Sequence, residues 1–164
     1  MSYSALAETN FIKIKILKID SNIKQSKICY SLFKNEGEWE RQEQIKTNCV
    51  DSHDDQIQLE VSNFESDTVA ISVFHDTGKP NGVLDTLYGI GIPTEGFGLS
   101  KINICYPNEE PKWKDVSIKL RKNTENSIPI RMFYPTDMTS MCSIKKNSIE
   151  LTEIHDNSFT QGQN

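Results

Sequence analysis

Hydrophobic and polar residues alternate with period two along most of the chain. From Phe11 to Ile16, isoleucines at 12, 14 and 16 alternate with Lys13 and Lys15, the pattern of a half-buried β-strand. The phase slips where Ile16 and Leu17 are adjacent, which marks a bulge or strand end, and Asp20-Ser21-Asn22 supplies turn chemistry. A second strand is predicted over Lys27–Phe33, with Ile28, Tyr30 and Leu32 on one face and Cys29 and Ser31 on the other. A third, over Gln42–Thr47, follows a turn at Asn35-Glu36-Gly37. Gln56–Val61 and Thr68–His75 give the fourth and fifth, with Ile57, Leu59 and Val61, then Val69, Ile71 and Val73, facing inward. Val116, Ile118 and Leu120 mark a sixth strand, and Ile128, Ile130 and Met132 a seventh. Pro129 places the seventh at a sheet edge, because proline has no N–H to donate to a ladder.

Seven short strands with turn signals between them, and no long helical periodicity, predict an all-β antiparallel sandwich. Three regions follow. Residues 1–10 form a flexible N-terminus, 11–133 the β-sandwich domain, and 134–164 a polar, partly disordered C-terminal arm. Within the arm, Ile149, Leu151 and Ile154 leave room for one extra strand. The segment between the fifth and sixth strands stands apart. His75 to Ser100 holds six of the chain's eight glycines, two prolines and three acidic residues. A loop of that length inside a compact domain is uncommon, and it is usually functional or mobile.

Composition narrows the function. With 164 residues, one domain can bury a sizeable core without staples. A net charge of −5 argues against a nucleic-acid binder or electrostatic attachment to anionic lipid. No apolar run reaches the roughly 18 residues of a membrane span. Ala5-Leu6-Ala7 reads either as the end of an export signal whose apolar region lies upstream, or as an ordinary frayed terminus. Cys29, Cys49, Cys105 and Cys142 have no C-x-x-C spacing. They are thiols in a cytoplasmic protein, or one or two disulfides in an exported one, with three connectivities open.

Val73-Phe74-His75-Asp76, then Asn81-Gly82-x-Leu84-Asp85-Thr86, then Gly91-Ile92-Pro93-Thr94-Glu95-Gly96-Phe97-Gly98, resembles the signature of the bacterial domain-of-unknown-function family 2141. The resemblance covers Phe11 to Met132. The chain departs from it by one extra residue between Asp76 and Asp85, by Gly78 and Pro80 in place of polar turn residues, and by Leu99 in place of an aromatic before Ser100. The resemblance implies an immunoglobulin- or transthyretin-like sandwich, export to the periplasm or beyond, and no established activity.

The signature residues His75, Asp76, Asn81, Asp85, Glu95, Gly96 and Phe97 are the candidate site. His75 shares the parity of Val69, Ile71 and Val73, so its ring is expected to point inward and tie the loop to the sheet by hydrogen bonds; the alternative is a metal or proton-transfer role. Asp76, Asn81 and Asp85 carry the oxygen ligands of a calcium site, or else cap a turn by accepting backbone N–H bonds. Asp76, Asp85 and Glu95 are the carboxylates that a hydrolase would need. Tyr88, Phe97 and Tyr106 could form an aromatic platform for a sugar or peptide. Trp39 and Trp113 read as core or core-rim residues, and His53-Asp54-Asp55 as a solvated turn. The expectation is a non-enzymatic, cofactor-free binding or accessory module of the cell envelope, recognising a protein, peptide or glycan. A structural envelope protein and a carboxylate hydrolase are the alternatives.

Overall fold

The computed structural model describes residues 9–42, 46–84, 94–102, 106–107, 110–135 and 141–142. Among these residues, ten strands and two short helices follow in the order β1 (Asn10–Leu17), β2 (Lys27–Phe33), α1 (Glu36–Arg41), β3 (Lys46–Asp51), β4 (Gln56–Phe64), β5 (Thr68–Asp76), β6 (Gly96–Leu99), β7 (Tyr106–Pro107), α2 (Trp113–Val116), β8 (Ile118–Lys119), β9 (Glu125–Arg131) and β10 (Met141–Cys142). One sheet has the order β4-β1-β9, and the other β3-β2-β5-β6 with β8 paired to β5. β7 and β10 form a separate two-stranded ladder.

The inner faces of the two sheets share one core. Ile12, Ile14 and Ile16 of β1 meet Ile28, Tyr30 and Leu32 of β2 and Val69, Ile71 and Val73 of β5, with Ile128 and Ile130 of β9 alongside. This is the predicted parity, and full burial of each such side chain contributes about 1.5–3 kcal/mol. β1 ends at Leu17, where Lys18 takes a positive φ of 62°. The phase slip was therefore a strand end. Pro129 lies opposite Lys15 on β9, an outer strand of its sheet, as the missing N–H requires.

Three expectations are corrected. The third strand is Lys46–Asp51, because Asn35 opens a helix instead of a turn: its side chain accepts from Glu38 N at 3.0 Å, and Glu38 Oε2 accepts from Lys34 N at 2.7 Å. Val116 belongs to α2, so the sixth predicted strand shrinks to the two residues of β8. The pairing is antiparallel except that β9 runs parallel to β1, as β10 does to β7. β1 and β9 are far apart in sequence, so no hairpin fixes their relative direction.

The helices cover part of the second sheet's outer face. Phe33, Ala70 and Leu99 pack there against Trp39 and Val116, a second buried cluster. Trp39 meets Phe33 edge-on at 5.0 Å and donates its indole N–H to Pro111 O at 2.9 Å. A disulfide joins Cys29 to Cys49, which sit opposite one another on β2 and β3. Cys105 and the side chain of Cys142 lie outside the described residues, as do residues 1–8 and the isoleucines and leucine at 149–154. Among the described residues no helix is long and apolar enough to cross a membrane.

Candidate functional site

The signature residues converge where β5 leaves its sheet and β6 returns beside it. His75 pairs with Gly96 in that ladder, and Phe74 with Phe97. His75 is wholly buried, as its parity predicted, and its ring is fixed at both nitrogens. Nδ1 lies 2.9 Å from Tyr134 Oη, and Nε2 lies 2.7 Å from Ser26 Oγ.

One arrangement of the protons satisfies the surrounding bonds. Tyr134 Oη accepts from Asp20 N at 2.7 Å, and its own proton can donate to Nδ1. Ser26 Oγ donates to Ile23 O at 3.3 Å and can accept from Nε2–H. A neutral imidazole with its proton on Nε2 therefore satisfies each of these bonds at once. Burial pushes the His75 imidazole below its ordinary 6.5, while the Asp20 and Asp76 carboxylates pull the other way. His75 thus joins the β1–β2 turn, the end of β5 and the segment after β9. It ties parts of both sheets together, and neither ring nitrogen bonds a described residue of the long loop.

The carboxylates hold the loop instead. Asp76 is buried, and its Oδ2 accepts from Asn81 N at 2.9 Å and Gly82 N at 2.6 Å. Gly82 has a φ of 78°, a conformation that side chains with a Cβ rarely adopt. Asn81 Oδ1 accepts from Val83 N at 2.8 Å. On the far side of the loop, buried Glu95 accepts at Oε1 from both Thr77 N, 2.7 Å, and Thr77 Oγ1, 3.0 Å. Residues 77 and 95 are thereby fastened together, which closes the neck of the loop. Beyond that neck Gly78 to Val83 is exposed, and Val83, at 61% exposure, is the one large apolar side chain left in solvent among the described residues.

The glycines and serine of the signature have packing reasons. A Cβ at Gly96 would lie 2.4 Å from the Tyr134 ring, and one at Gly98 would lie 2.6 Å from Arg131 O. The backbone of β6 therefore approaches the end of β9 closely. Phe97 and Phe133 exchange two backbone hydrogen bonds of 2.8 Å, which bridge the two sheets along this side. Ser100 is wholly buried, accepts from Ile71 N at 2.9 Å and donates to Val116 O at 2.7 Å.

Of the candidate residues, the structure brings His75, Asp76, Asn81, Glu95, Gly96 and Phe97 to one end of the domain. Asp85 and Tyr88 lie outside the described residues, as does the side chain of Tyr106. Phe97 and Trp113 pack against the second apolar cluster, of which Trp39 is a member. His53, Asp54 and Asp55 are exposed between β3 and β4, as a solvated turn should be. Among the described residues no three His, Cys, Asp or Glu side chains are grouped to hold a metal ion. Ser26, Tyr134 and Ser100 were not foreseen as partners, because no local signal connects positions 26, 75 and 134.

These features define a small two-sheet β-domain whose most distinctive segment is a loop closed at its neck by buried carboxylates. The chain belongs to the family described as uncharacterised proteins conserved in bacteria, DUF2141, whose model matches residues 14–128. No curated protein and no solved structure gives a significant match.

Proposed function

We propose that this chain is an exported, immunoglobulin- or transthyretin-like sandwich acting as a non-enzymatic binding module of the bacterial cell envelope. One observation carries the binding reading: the neck closed by Asp76 and Glu95 presents an ordered, exposed turn with Val83 outward. A turn pre-organised in this way loses less entropy on meeting a protein, peptide or glycan than a free loop would. The same bonds weaken the hydrolase alternative. Asp76 and Glu95 are buried and engaged with backbone N–H groups, which is poor geometry for meeting a substrate. The Cys29–Cys49 bridge supports export, since disulfides persist mainly in oxidising compartments.

A photo-crosslinking residue at position 83 of the full chain, expressed in a bacterium, tests the proposal. The expected result is an adduct with an envelope component that disappears when Asp76→Ala releases the turn. Failure to form any adduct, or fractionation with the cytoplasm carrying Cys29 and Cys49 as thiols, would overturn it.

A further inference from the structure

On the outer side of the second sheet, we propose that the Cys29–Cys49 bridge is a reducible latch: a substrate for a dithiol reductant, whose opening releases β3 while the rest of the domain stays folded. The two halves of the bridge have different surroundings. Cys29 is wholly buried in β2, whereas Cys49 is exposed on β3. β3 is the outermost strand of its sheet, with β2 as its sheet neighbour. Among its described side chains, only Val50 packs against the core, and that residue is only partly buried. One further side-chain bond, Asn48 Nδ2 to Tyr30 Oη at 3.2 Å, reinforces the ladder.

The segments on either side of β3 are anchored without it. α1 is held by Trp39, buried against Phe33 and bonded to Pro111 O. β4 is held by its ladder with β1. Loss of the bridge therefore removes the main covalent hold on one strand and leaves both flanks fastened. Exposed disulfides are the labile ones, and attack falls on the sulfur that a thiolate can reach.

In the reaction, a thiolate of the dithiol attacks Sγ of exposed Cys49. The Cys29–Cys49 bond breaks, Cys29 leaves as a thiolate and takes a proton from water. The second thiolate of the reductant then attacks its own sulfur in the mixed disulfide and releases Cys49. Two electrons pass to the protein, and the reductant ends as an intramolecular disulfide. The freed strand would expose the N–H and C=O groups of β2, a ready edge for strand addition.

Hydrogen exchange of the native full chain in dithiothreitol, without denaturant, decides the matter. The bridge should open, and amides of residues 46–51 should exchange about tenfold faster or more, with residues 10–17, 56–64 and 125–131 unchanged. The Cys29→Ser/Cys49→Ser variant should show the same pattern without reductant and no further response to it. A bridge that resists reduction until the chain is denatured overturns the proposal. So does loss of protection in all strands together, or a double variant that still responds through Cys105 or Cys142.

Discussion

The two sheets contribute their inner faces to one core but differ in what covers their outer faces. β1 and β4 carry lysine, glutamine and glutamate outward into solvent, so their sequences alternate cleanly. β2 is buried from Ile28 to Phe33 on both faces, because α1 and α2 cover part of its outer side. The first sheet is thus built on a single apolar face, and the second on two. The polar joint at His75 and the Phe97–Phe133 bridge link one sheet to the other. The difference predicts where substitution should be tolerated and where it should not.

Truncation on the two outer faces is the strongest test. Phe33→Ala removes the centre of the second cluster and should cost about 3–5 kcal/mol, the usual range for a buried phenylalanine. Gln58→Ala on the exposed face of β4 should change stability by no more than about 0.5 kcal/mol. Urea denaturation of both variants measures the contrast. If Phe33→Ala cost as little as Gln58→Ala, the helices would be ornaments on an ordinary one-faced sheet.

Release of the loop should cost less and act locally. Asp76→Ala leaves Asn81 N–H and Gly82 N–H without their acceptor, a loss of about 1–3 kcal/mol. Because the turn itself is exposed, the lower half of that range is expected, with faster hydrogen exchange concentrated in residues 77–84. Equal loss of protection in β1 and β9 would mean that the clamp supports the whole sandwich and not just the turn.

How much of this was legible in the sequence follows from the same contrast. Period-two alternation reports one buried face, so the core positions of β1, β4, β5 and β9 could be read directly. The cover on the second sheet could not. α1 has six residues and α2 four, too short for a helical period to emerge. A capping signal was nevertheless present, since Asn35-x-x-Glu38 is a helix-start pattern that the glycine at 37 disguised as a turn. At the site, parity was enough to turn His75 inward, while Asx chemistry offered turn capping by Asp76 as one of two readings beside a calcium site. The partners of His75 come from three distant segments, and only the fold brings them together. Tyr134 was assigned to the polar arm because Pro135 follows it, yet it packs against the core.

The finest test concerns that polar joint. Ser26 and His75 come from the second sheet and its approach, while Tyr134 follows β9 of the first, so the imidazole holds the two halves in one proton order. Protonating His75 would make Nδ1 a donor toward Tyr134 Oη, which already accepts from Asp20 N–H and would have to redirect its own proton. Asp20 and Asp76 offset part of that cost but do not reverse it, since burial is the larger influence. The folded-state value lies below the unfolded one, so between them the unfolded chain binds more protons and stability rises with pH. The contribution is fully present above 6.5 and is lost as pH falls through the folded value. The slope is at most about 1.4 kcal/mol per pH unit for one proton. His75→Gln can keep both bonds without titrating, so wild type should lose stability relative to this variant on going from neutral to mildly acidic solution. Comparing the two isolates the contribution of position 75. Parallel stability profiles would show that His75 takes up its proton as readily in the folded chain as in the unfolded one, finding an acceptor when charged, and the joint would then be a matter of packing alone.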